Sequence, residues 1–581
     1  MAANGIINGT PALPKANGES EKIIDYLIVG TGPAGGSLGC FLAQNGMSGL
    51  VISNQPSNAD TPRAHITNMA ALDCLRDIGL DEECYKIGTS GDCMVHTRWS
   101  HSMAGEEYAR IFSWGNSPRR KGDYELASPS EPLDLPQTLL EPLLTRYASQ
   151  NGFQSRFSTE LVSFDQISEH GGVRCTLRDL VSDHTYTIRC KHLFGADGGR
   201  SRIAKSLELP FTEKPGGGFA INLLIEADMS HIIDDRKGNL HWLLQPDREA
   251  PDFAWIGCIR MVKPWHEWLC IIFPKPGAER KARPAEDYVV RVRELIGDDS
   301  IEFKIKGVST WQINETSADV YSKGSVFCLG DAVHRHPPNH GLGSNTCVQD
   351  AHNLAWKVAY VNRGWAGPAL LDSYNAERQP VGQDVVFQAN ASLRNHIEIW
   401  RLLGNFEANP SDGAAALREL KEDSPAGFKR RAQFHAALKL IDREEHGLGV
   451  EMNQRYTSSA STINPPPTLV LGSHTLGSAI STLDLAGKGR FTLLTGIGGD
   501  GWLAAAKQVS AELGVPLGAF SIGYGKQWAD RYLEWEKLKE VEEKVGDGWS
   551  GEAGTGDEER AVTMKSAIGV TSTQHLDNHY V

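Results

Sequence analysis

The chain has 581 residues, of which 40% are hydrophobic and 22% charged, and its formal net charge at pH 7 is −14. This length is more than one hydrophobic core normally serves, so we expect two or three domains. The acidic balance argues against nucleic acid as a partner, because phosphate backbones bind clustered lysine and arginine. The ten cysteines include no Cys-x-x-Cys pair, which favours buried thiols over a zinc site or a disulfide framework.

Residues 1–21 are predicted to form a disordered tail. They are rich in Ala, Gly, Asn and Pro and lack the basic start and long apolar run of a secretory signal. No stretch of about 18 apolar residues occurs later, so we expect no membrane-spanning helix and no membrane partner. Together these features predict a cytoplasmic protein.

A strand, a glycine-rich turn and a helix come next. The apolar run 23–29 is typical of a buried parallel strand, and a helical stretch to about residue 45 and a second strand at 49–53 complete a β-α-β unit. In the turn, the first glycine permits a tight bend, the second lets the backbone approach a pyrophosphate, and the third lets the helix pack closely on the strand. The helix N-terminus then offers free N–H groups to the phosphates. The candidate residues are Gly30, Gly32, Pro33, Ala34 and Gly35.

Ser53 departs from this pattern. A dinucleotide site of this kind usually carries Asp or Glu at the end of the second strand, where the carboxylate binds the ribose hydroxyls. Here the position holds Ser53. A hydroxyl can still hydrogen-bond a ribose, although less strongly than a carboxylate does, so Ser53 stays a candidate.

The middle of the chain alternates predicted helices with strand-rich stretches. Residues 61–80 and 135–150 are predicted helices, whereas 158–195 alternates apolar and polar residues as antiparallel strands do. Residues 217–275 are again strand-like and rich in aromatic residues. Both stretches are therefore predicted to be rich in strands.

The last part of the chain contains a further strand, a long helix and a small α/β unit. A strand at 325–329 leads through a Gly- and Pro-rich loop into a predicted helix at about 344–362. A Pro/Ser/Gly-rich stretch at 457–473 is typical of a linker. Beyond it, a strand at 491–495 and an amphipathic helix at 502–513 predict a small α/β domain.

Two later segments repeat the strand-end pattern: Phe194-Gly-Ala-Asp197-Gly-Gly-Arg-Ser-Arg202, and Phe327-Cys-Leu-Gly330-Asp331 with the loop that follows. Together with the first glycine turn, and in this order, they resemble the para-hydroxybenzoate hydroxylase-like, or group A, FAD monooxygenases. Within that group the chain is most similar to phenol hydroxylases of the 2,4-dichlorophenol 6-monooxygenase type. The segments that carry this closer resemblance are Thr61-Pro-Arg63-Ala-His65-Ile-Thr-Asn68, Ser102-Met-Ala-Gly-Glu-Glu-Tyr-Ala-Arg110-Ile-Phe-Ser-Trp114-Gly and Arg335-His-Pro-Pro-Asn-His-Gly-Leu-Gly-Ser-Asn-Thr346.

The resemblance implies an α/β fold with three parts. An FAD-binding Rossmann-like domain of the glutathione-reductase type would be interleaved with an antiparallel-sheet substrate domain, and a thioredoxin-like α/β domain would follow. The FAD-binding domain would comprise about 22–90, 125–210 and 310–400 of residues 22–400, and the substrate domain about 91–124 and 211–309. A helical connection at 401–464, the thioredoxin-like domain at 465–545 and an irregular tail at 546–581 would complete the chain.

The resemblance also implies cofactor contacts. Arg63 would reach the FAD pyrophosphate, where a bidentate guanidinium suits the geometry, and Gln137 would contact the ribityl chain. Asp197 would serve both FAD and NAD(P)H, and Asp331 would accept from a ribityl hydroxyl. Plainer roles stay open, such as a helix cap for Asp197. The loop after Asp331 would place N–H groups and a helix dipole against the flavin pyrimidine, and its candidates are Pro338, Gly341, Gly343, Ser344 and Asn345.

The implied reaction is hydroxylation of a phenolic or related aromatic ring with NAD(P)H and O2 through a flavin C4a-hydroperoxide. The site must exclude water, because otherwise H2O2 escapes, and a base that draws the phenolic proton would enrich the ring in electrons. His241 and Trp255 are the candidates from the strand region that covers the substrate, although both can be ordinary packed residues. The histidines at 334–340 have no usual ligand spacing, so no metal is expected.

Several alternatives stay open. A Baeyer–Villiger or epoxidising monooxygenase would share the fold and the FAD motifs, and a flavin-binding regulatory protein without turnover is disfavoured by the intact loop at 330–346. A flavin halogenase would need a Trp-x-Trp-x-Ile-Pro segment that is absent. The C-terminal domain has no cysteine after Cys347, so dithiol chemistry is excluded and a structural or homodimer-forming role is expected.

Overall fold

The computed structural model describes residues 22–529 apart from 168–170, 282, 453, 455, 457, 459–469, 473–478 and 487. The predicted tails at 1–21 and 546–581, and most of the predicted linker at 457–473, lie outside the described residues.

The described residues form strands and helices in the following order. The strands are β1 (Lys22–Val29), β2 (Gly49–Ile52), β3 (Ile66–Thr67), β4 (His96–Ser100), β5 (Glu107–Phe112), β6 (Leu133–Asp134), β7 (Phe153–Arg156), β8 (Thr159–Gln166), β9 (Val173–Asp179), β10 (Thr185–Gly195), β11 (Phe211–Ala227), β12 (Leu240–Leu243), β13 (Ile256–Lys263), β14 (Glu267–Phe273), β15 (Phe303–Ala318), β16 (Ser322–Lys323), β17 (Val326–Cys328), β18 (His334–Arg335), β19 (Val470–Gly472), β20 (Ala479–Ser481), β21 (Phe491–Thr495) and β22 (Leu517–Ser521). The helices are α1 (Pro33–Gln44), α2 (Met69–Asp77), α3 (Asp81–Ile87), α4 (Lys121–Ala127), α5 (Gln137–Gln150), α6 (Arg202–Ser206), α7 (Ser230–Ile233), α8 (Val289–Ile296), α9 (Gly343–Asn362), α10 (Asp372–Leu402), α11 (Pro410–Glu419), α12 (Pro425–Glu445), α13 (Leu448–Glu451), α14 (Thr482–Ala486) and α15 (Asp500–Leu513).

The first sheet has a parallel centre. Its strand order is β16-β17-β10-β1-β2-β7, with β9 and β8 paired beside β10. Strand β1 runs parallel to both β10 and β2, and Tyr26, Leu27 and Ile28 at its centre are fully buried. Helix α1 packs against both α5 and α9. Because parallel strands end at the same edge of a sheet, the segments that follow β1, β10 and β17 meet there.

The second sheet has the order β18-β15-β11-β14-β13-β12-β4-β5. Its pairs are antiparallel except β12 with β4, which is parallel. Strand β15 continues to Ala318 and β18 also joins this sheet, so the sheet extends past residue 309, where the sequence prediction ended it. One face packs on α8 through Val292 and Leu295, and the other packs on α10 and α12 through Trp400 and Ile441.

The predicted helix at 61–80 is only partly correct. Residues 66–67 form β3, which pairs antiparallel with β6, and the helix begins at Met69 with Asn68 as its N-cap. Pro62 disfavours helical backbone at the residue before it, and pairing with β6 satisfies the backbone of the segment instead. This difference matters because β3 follows His65 directly.

A small α/β unit closes the described chain. Strands β21 and β22 are parallel and α15 connects them, while β19 pairs with β20. The Phe491 ring lies 4.7 Å from the Tyr360 ring of α9, and Arg76 Nε lies 3.0 Å from Asp484 Oδ1. Among the described residues, every helix is too short or too polar to span a bilayer.

Candidate active site

Three glycine-containing segments converge at the N-terminus of α1. Gly30 has a φ of +114°, and a Cβ there would lie 2.0 Å from the carbonyl oxygen of Ala196. Gly330 has a φ of +64°, and a Cβ there would lie 2.8 Å from both Ala34 Cβ and Cys347 Sγ. Only glycine tolerates such conformations and approaches without strain. The ends of β1, β10 and β17 therefore form one continuous cleft edge.

Two helix N-termini at this edge lack side-chain caps. Helix α1 begins after Gly32 with Pro33 in its first turn, and α9 begins at Gly343 after Leu342. Neither N-cap residue makes a side-chain cap hydrogen bond. The first-turn N–H groups are therefore available to an anion or to an oxygen-rich ligand.

The Asn345 side chain fixes α9 to the segment that follows His65. Its Oδ1 accepts from the Asn68 N–H at 3.0 Å, and its Nδ2 donates to the Ile66 carbonyl at 2.8 Å. Both polar atoms of the Asn345 side chain therefore hydrogen-bond within the protein. Of the polar groups of this residue that could donate to a ligand, only the backbone N–H remains. Ser344 is also buried in this first turn.

The turn that carries Asp331 is held by buried charges that the sequence prediction missed. Asp350 Oδ2 accepts from the Gly330 N–H at 3.1 Å and lies 2.9 Å from His334 Nε2. Asp350 Oδ1 accepts from Arg378 Nε at 2.7 Å. Asp331 itself is exposed to the cleft. Both helices carry several other charged or polar residues, so no pattern in the sequence singled out Asp350 and Arg378.

Glu141 is a second carboxylate that the prediction missed. It is buried, its Oε2 accepts from the Ala59 N–H at 2.7 Å, and it also binds the Gln137 side chain. Burial raises its pKa, and Oε1 would lie 3.8 Å from a Cβ on Gly32.

Ser53, the candidate at the end of β2, uses its buried hydroxyl to accept from the Gln55 N–H at 3.2 Å.

Asp197 and Arg63 differ in whether their side chains already make hydrogen bonds within the protein. The Asp197 carboxylate accepts from the Arg202 N–H at 2.8 Å and from the Ser201 hydroxyl, which gives it a role in ordering the start of α6. Arg63 is exposed at the cleft. Arg335 Nη1 donates to the Gly199 carbonyl at 2.8 Å and so joins the second and third segments.

A histidine–carboxylate pair lies beside the Arg63 segment. Pairing of β3 with β6 brings His65 Nδ1 to 2.8 Å from Asp134 Oδ2, and their side chains are 13% and 0% exposed. Among the described residues, Nε2 of His65 makes no hydrogen bond. Burial and the nearby Arg260 cation lower the pKa of His65 to about 4, although Asp134 opposes them. The sequence had marked His65 only as part of a motif, without a role.

Arg260 is a buried cation next to this pair. It is 1% exposed, and its Nη2 donates to the Pro62 carbonyl at 2.6 Å. Its Nε and Nη1 have no hydrogen-bond partner within the described chain. A buried N–H that lacks a partner costs free energy, so these donors are suited to an oxygen-rich ligand beside Pro62.

The two catalytic candidates from the sequence lie in different places. His241 points to the α8 side of its sheet, where its ring is 6.4 Å from that of Trp268 and its Nε2 is 3.1 Å from the Gly238 carbonyl. Successive strand residues face opposite sides, so the structure does not bring His241 to His65. Trp255 packs edge-on against Phe406 at 5.0 Å.

An aromatic wall covers the His65 side of the second sheet. We define it as Trp242, Phe273 and Trp400, whose ring centroids are 5.6 to 5.8 Å apart. Trp242 is on the same face as Arg260, because Leu240 pairs with Arg260 and Trp242 with Cys258. Within the described ranges, no three His, Cys, Asp or Glu side chains are grouped so that they could hold a metal ion.

These features define the class of protein as a dinucleotide-binding flavoprotein. The uncapped helices and the glycine turns fit the pyrophosphate of a dinucleotide. The FAD binding domain family matches residues 24–389. The chain therefore belongs to the FAD-binding domain family of flavin-dependent monooxygenases.

Named relatives agree with this membership. The chain is 40% identical over 544 residues to a 2,4-dichlorophenol 6-monooxygenase of Delftia acidovorans, a match that covers 89% of this chain and 92% of the relative. It is 38% identical over 560 residues to a phenol 2-monooxygenase of Pseudomonas sp. (strain EST1001), covering 92% and 90%.

Solved structures agree as well. The flavin-dependent monooxygenase PieE, solved in complex with FAD and substrate, superposes with a TM-score of 0.83 at 36% identity, covering 89% of this chain and 92% of that one. Aklavinone-11 hydroxylase, solved with FAD and aklavinone, gives 0.71 at 26% identity, covering 88% and 91%. The protein is thus an FAD-dependent aromatic hydroxylase that uses NAD(P)H and O2.

Proposed function

We propose that the protein hydroxylates a phenol at the carbon next to its hydroxyl group and that His65 accepts the phenolic proton. The relatives named above are a 2,4-dichlorophenol 6-monooxygenase and a phenol 2-monooxygenase, and both names place the new hydroxyl beside the existing one. The observation that carries the proposal is the His65–Asp134 pair, in which His65 Nε2 makes no hydrogen bond to any described residue.

Asp134 determines which nitrogen of His65 can act as the base. Its carboxylate accepts from Nδ1–H, which leaves the lone pair on Nε2 for the substrate. Because the pKa of His65 is lowered to about 4, the ring is neutral at pH 7 and offers its Nε2 lone pair to the phenol. Removal of the phenolic proton raises the electron density at the adjacent ring carbon, and the Arg260 cation, whose charge acts on His65, would favour the resulting phenolate.

The remaining residues bind the cofactor and exclude water in this proposal. When bound, FAD supplies hydride acceptance from NAD(P)H and activation of O2. Arg63, Gln137, Asp197 and Asp331 would hold its pyrophosphate and ribityl groups, and the first turn of α9 would hold negative charge at the pyrimidine side. The aromatic wall would keep water from the ring being oxidised.

Replacing His65 tests this assignment. The variant His65→Gln keeps a polar side chain but no base, so we expect kcat for 2,4-dichlorophenol to fall by about 10²- to 10⁴-fold while the protein keeps its yellow FAD spectrum. A more acidic phenol, assayed above its own pKa, arrives already ionised and should lose much less.

The matched control is His231→Gln, because His231 also pairs with a carboxylate, Asp298 Oδ2 at 2.9 Å, but is exposed and lies on α7. That variant should keep its activity. A His65→Gln enzyme with an unchanged rate on 2,4-dichlorophenol would contradict the proposal.

The small α/β unit at 479–528 is proposed to be a thioredoxin-like domain with a structural or homodimer-forming role in a cytoplasmic enzyme. Its parallel β21 and β22, joined by α15, support this assignment. Light scattering of the purified holoenzyme would give its oligomeric state.

A further inference from the structure

The last turn of helix α12 contacts the loop of residues 338–343, which we call the flavin loop. Asn339 Nδ2 donates to Glu444 Oε1 at 2.9 Å. The second carboxylate oxygen, Oε2, lies 3.0 Å from His396 Nε2 on α10. Asn339, His396 and Glu444 are 8%, 1% and 7% exposed, so these contacts are shielded from water.

His396 in turn contacts the aromatic wall. Its ring centroid lies 4.5 Å from that of Trp242, and Trp242 lies against Phe273 and Trp400. One carboxylate therefore connects the flavin loop, through Asn339, to the substrate-facing sheet, through His396. Strand β18, which precedes the flavin loop, also joins this sheet by pairing with β15, so the Glu444 link supplements a backbone connection.

The flavin loop needs such external support because its backbone is not relaxed. His340 has a φ of +63°, a conformation that is uncommon for residues other than glycine. Its Nε2 lies 2.7 Å from the Ser392 hydroxyl on α10. Burial opposes ionisation of Glu444, but His396, His340 and the Asn339 amide outweigh it and hold the pKa of Glu444 below its usual range.

We propose that Glu444 is a positioning residue that fixes the distance between the flavin loop and the aromatic wall and so couples NAD(P)H oxidation to hydroxylation. The proposal rests on the flavin-binding role assigned above. In the coupled reaction, ArH + NAD(P)H + H⁺ + O2 gives ArOH + NAD(P)⁺ + H2O. If the ring is misplaced, NAD(P)H + H⁺ + O2 gives NAD(P)⁺ + H2O2, because a misplacement of about 1 Å strongly slows transfer to the ring.

Two variants of Glu444 give a graded test. Glu444→Ala removes both contacts, whereas Glu444→Gln keeps the shape and weaker hydrogen bonds, since bonds to a charged group are about twice as strong. With 2,4-dichlorophenol as the probe, we expect H2O2 formed per NADPH to rise about 3- to 10-fold in the alanine variant and less in the glutamine variant. FAD retention should change little.

The matched control is Glu445→Gln. Glu445 is the adjacent buried carboxyl on the same helix; burial and the charge of Glu444 raise its pKa well above the usual range, and its Oε2 has no hydrogen-bond partner in the described chain. Because Asn339 and His396 both contact Glu444 and not Glu445, replacement of Glu445 should leave coupling unchanged. Equal uncoupling in the Glu445 and Glu444 glutamine variants would overturn the proposal.

Hydrogen exchange of the holoenzyme without substrate provides a readout independent of turnover. Amides of 339–347 should exchange faster in Glu444→Ala, with Glu444→Gln in between and Glu445→Gln like the wild type. Unchanged exchange and unchanged peroxide in both Glu444 variants would refute the positioning role. Absence of hydroxylated product from the FAD-containing wild type would instead count against the proposed function, and the exchange difference would still be readable.

Discussion

At His65, the local charges determine the pH range in which the residue can accept a proton. The pKa is lowered to about 4 by burial and by Arg260, so the ring becomes protonated, and the base is lost, only as the pH falls through about 4. We therefore expect kcat/KM for 2,4-dichlorophenol to have no acid limb near 6.5, the ordinary value for histidine, and to decline only below about pH 5.

The variant Arg260→Gln checks the origin of this behaviour. Removing the cation removes one of the causes that lower the pKa of His65, so the acid limb of the kcat/KM profile should move to higher pH. A profile of this variant that coincides with the wild type would show that Arg260 does not act on His65.

Gly30 is expected to be the most sensitive glycine of the cofactor cleft. In Gly30→Ala the new Cβ would lie 2.0 Å from the Ala196 carbonyl oxygen at a φ of +114°, so the turn must move and FAD should be lost. The control Gly79→Ala has a φ of +74° but no atom within 4 Å, and it should lose only about 1–2 kcal/mol of the free energy of unfolding. Flavin absorbance and urea unfolding measure the two effects, and equal FAD retention in both variants would contradict this account.

At the scale of elements, local patterns predicted the strand-turn-helix units but not all boundaries. The apolar run before Gly30 and the helix after Gly343 appear as predicted because their signals are local in sequence. Residues 61–80 were predicted as one helix, and the prediction failed at β3 because that short strand is stabilised by β6, a partner almost 70 residues later. The same distant pairing creates the His65–Asp134 contact, which no local pattern could reveal.

The contact between α9 and α10 at Asp350 and Arg378 is expected to be indispensable for the fold of the Gly330 turn. Both side chains are 0% exposed, so Asp350→Ala leaves a buried cation without its partner and should cost about 3–5 kcal/mol of unfolding free energy. The exposed pair Lys86–Glu82 is the control, since Glu82→Gln should change stability by less than about 1 kcal/mol. Equal urea midpoints for the two variants would contradict this expectation.

At the scale of the whole molecule, the convergence of the glycine-containing segments was predictable from the sequence, whereas the aromatic wall was not. Three glycine-containing segments end parallel strands of one sheet, so their meeting follows from topology. The aromatic wall instead combines Trp242 of β12 with Trp400 of α10, and alternation along β12 places His241, a sequence candidate, on the opposite face. Local sequence patterns do not specify how the two sheets pack, so they could not predict which face of the second sheet lies towards the first.

The C-terminal unit is expected to stabilise the molecule without taking part in cofactor binding. Phe491 packs against Tyr360 at 4.7 Å and Trp365 at 6.3 Å. Tyr360 is near the C-terminal end of α9, about 25 Å along the helix from the end that faces the cleft. Phe491→Ala should therefore reduce the unfolding free energy by about 1–3 kcal/mol and speed proteolysis within 479–528, while FAD absorbance stays constant.

Trp502→Ala is the control for the Phe491 variant, because Trp502 lies in the same unit but is 48% exposed. Its loss removes a large ring without removing a contact to α9, so protease sensitivity should stay at the wild-type level. Loss of FAD in step with cleavage of Phe491→Ala would mean that the unit supports the cofactor cleft directly. Retention of FAD by the cleaved protein would mean that the C-terminal unit stabilises the molecule through α9 without supporting the cofactor cleft.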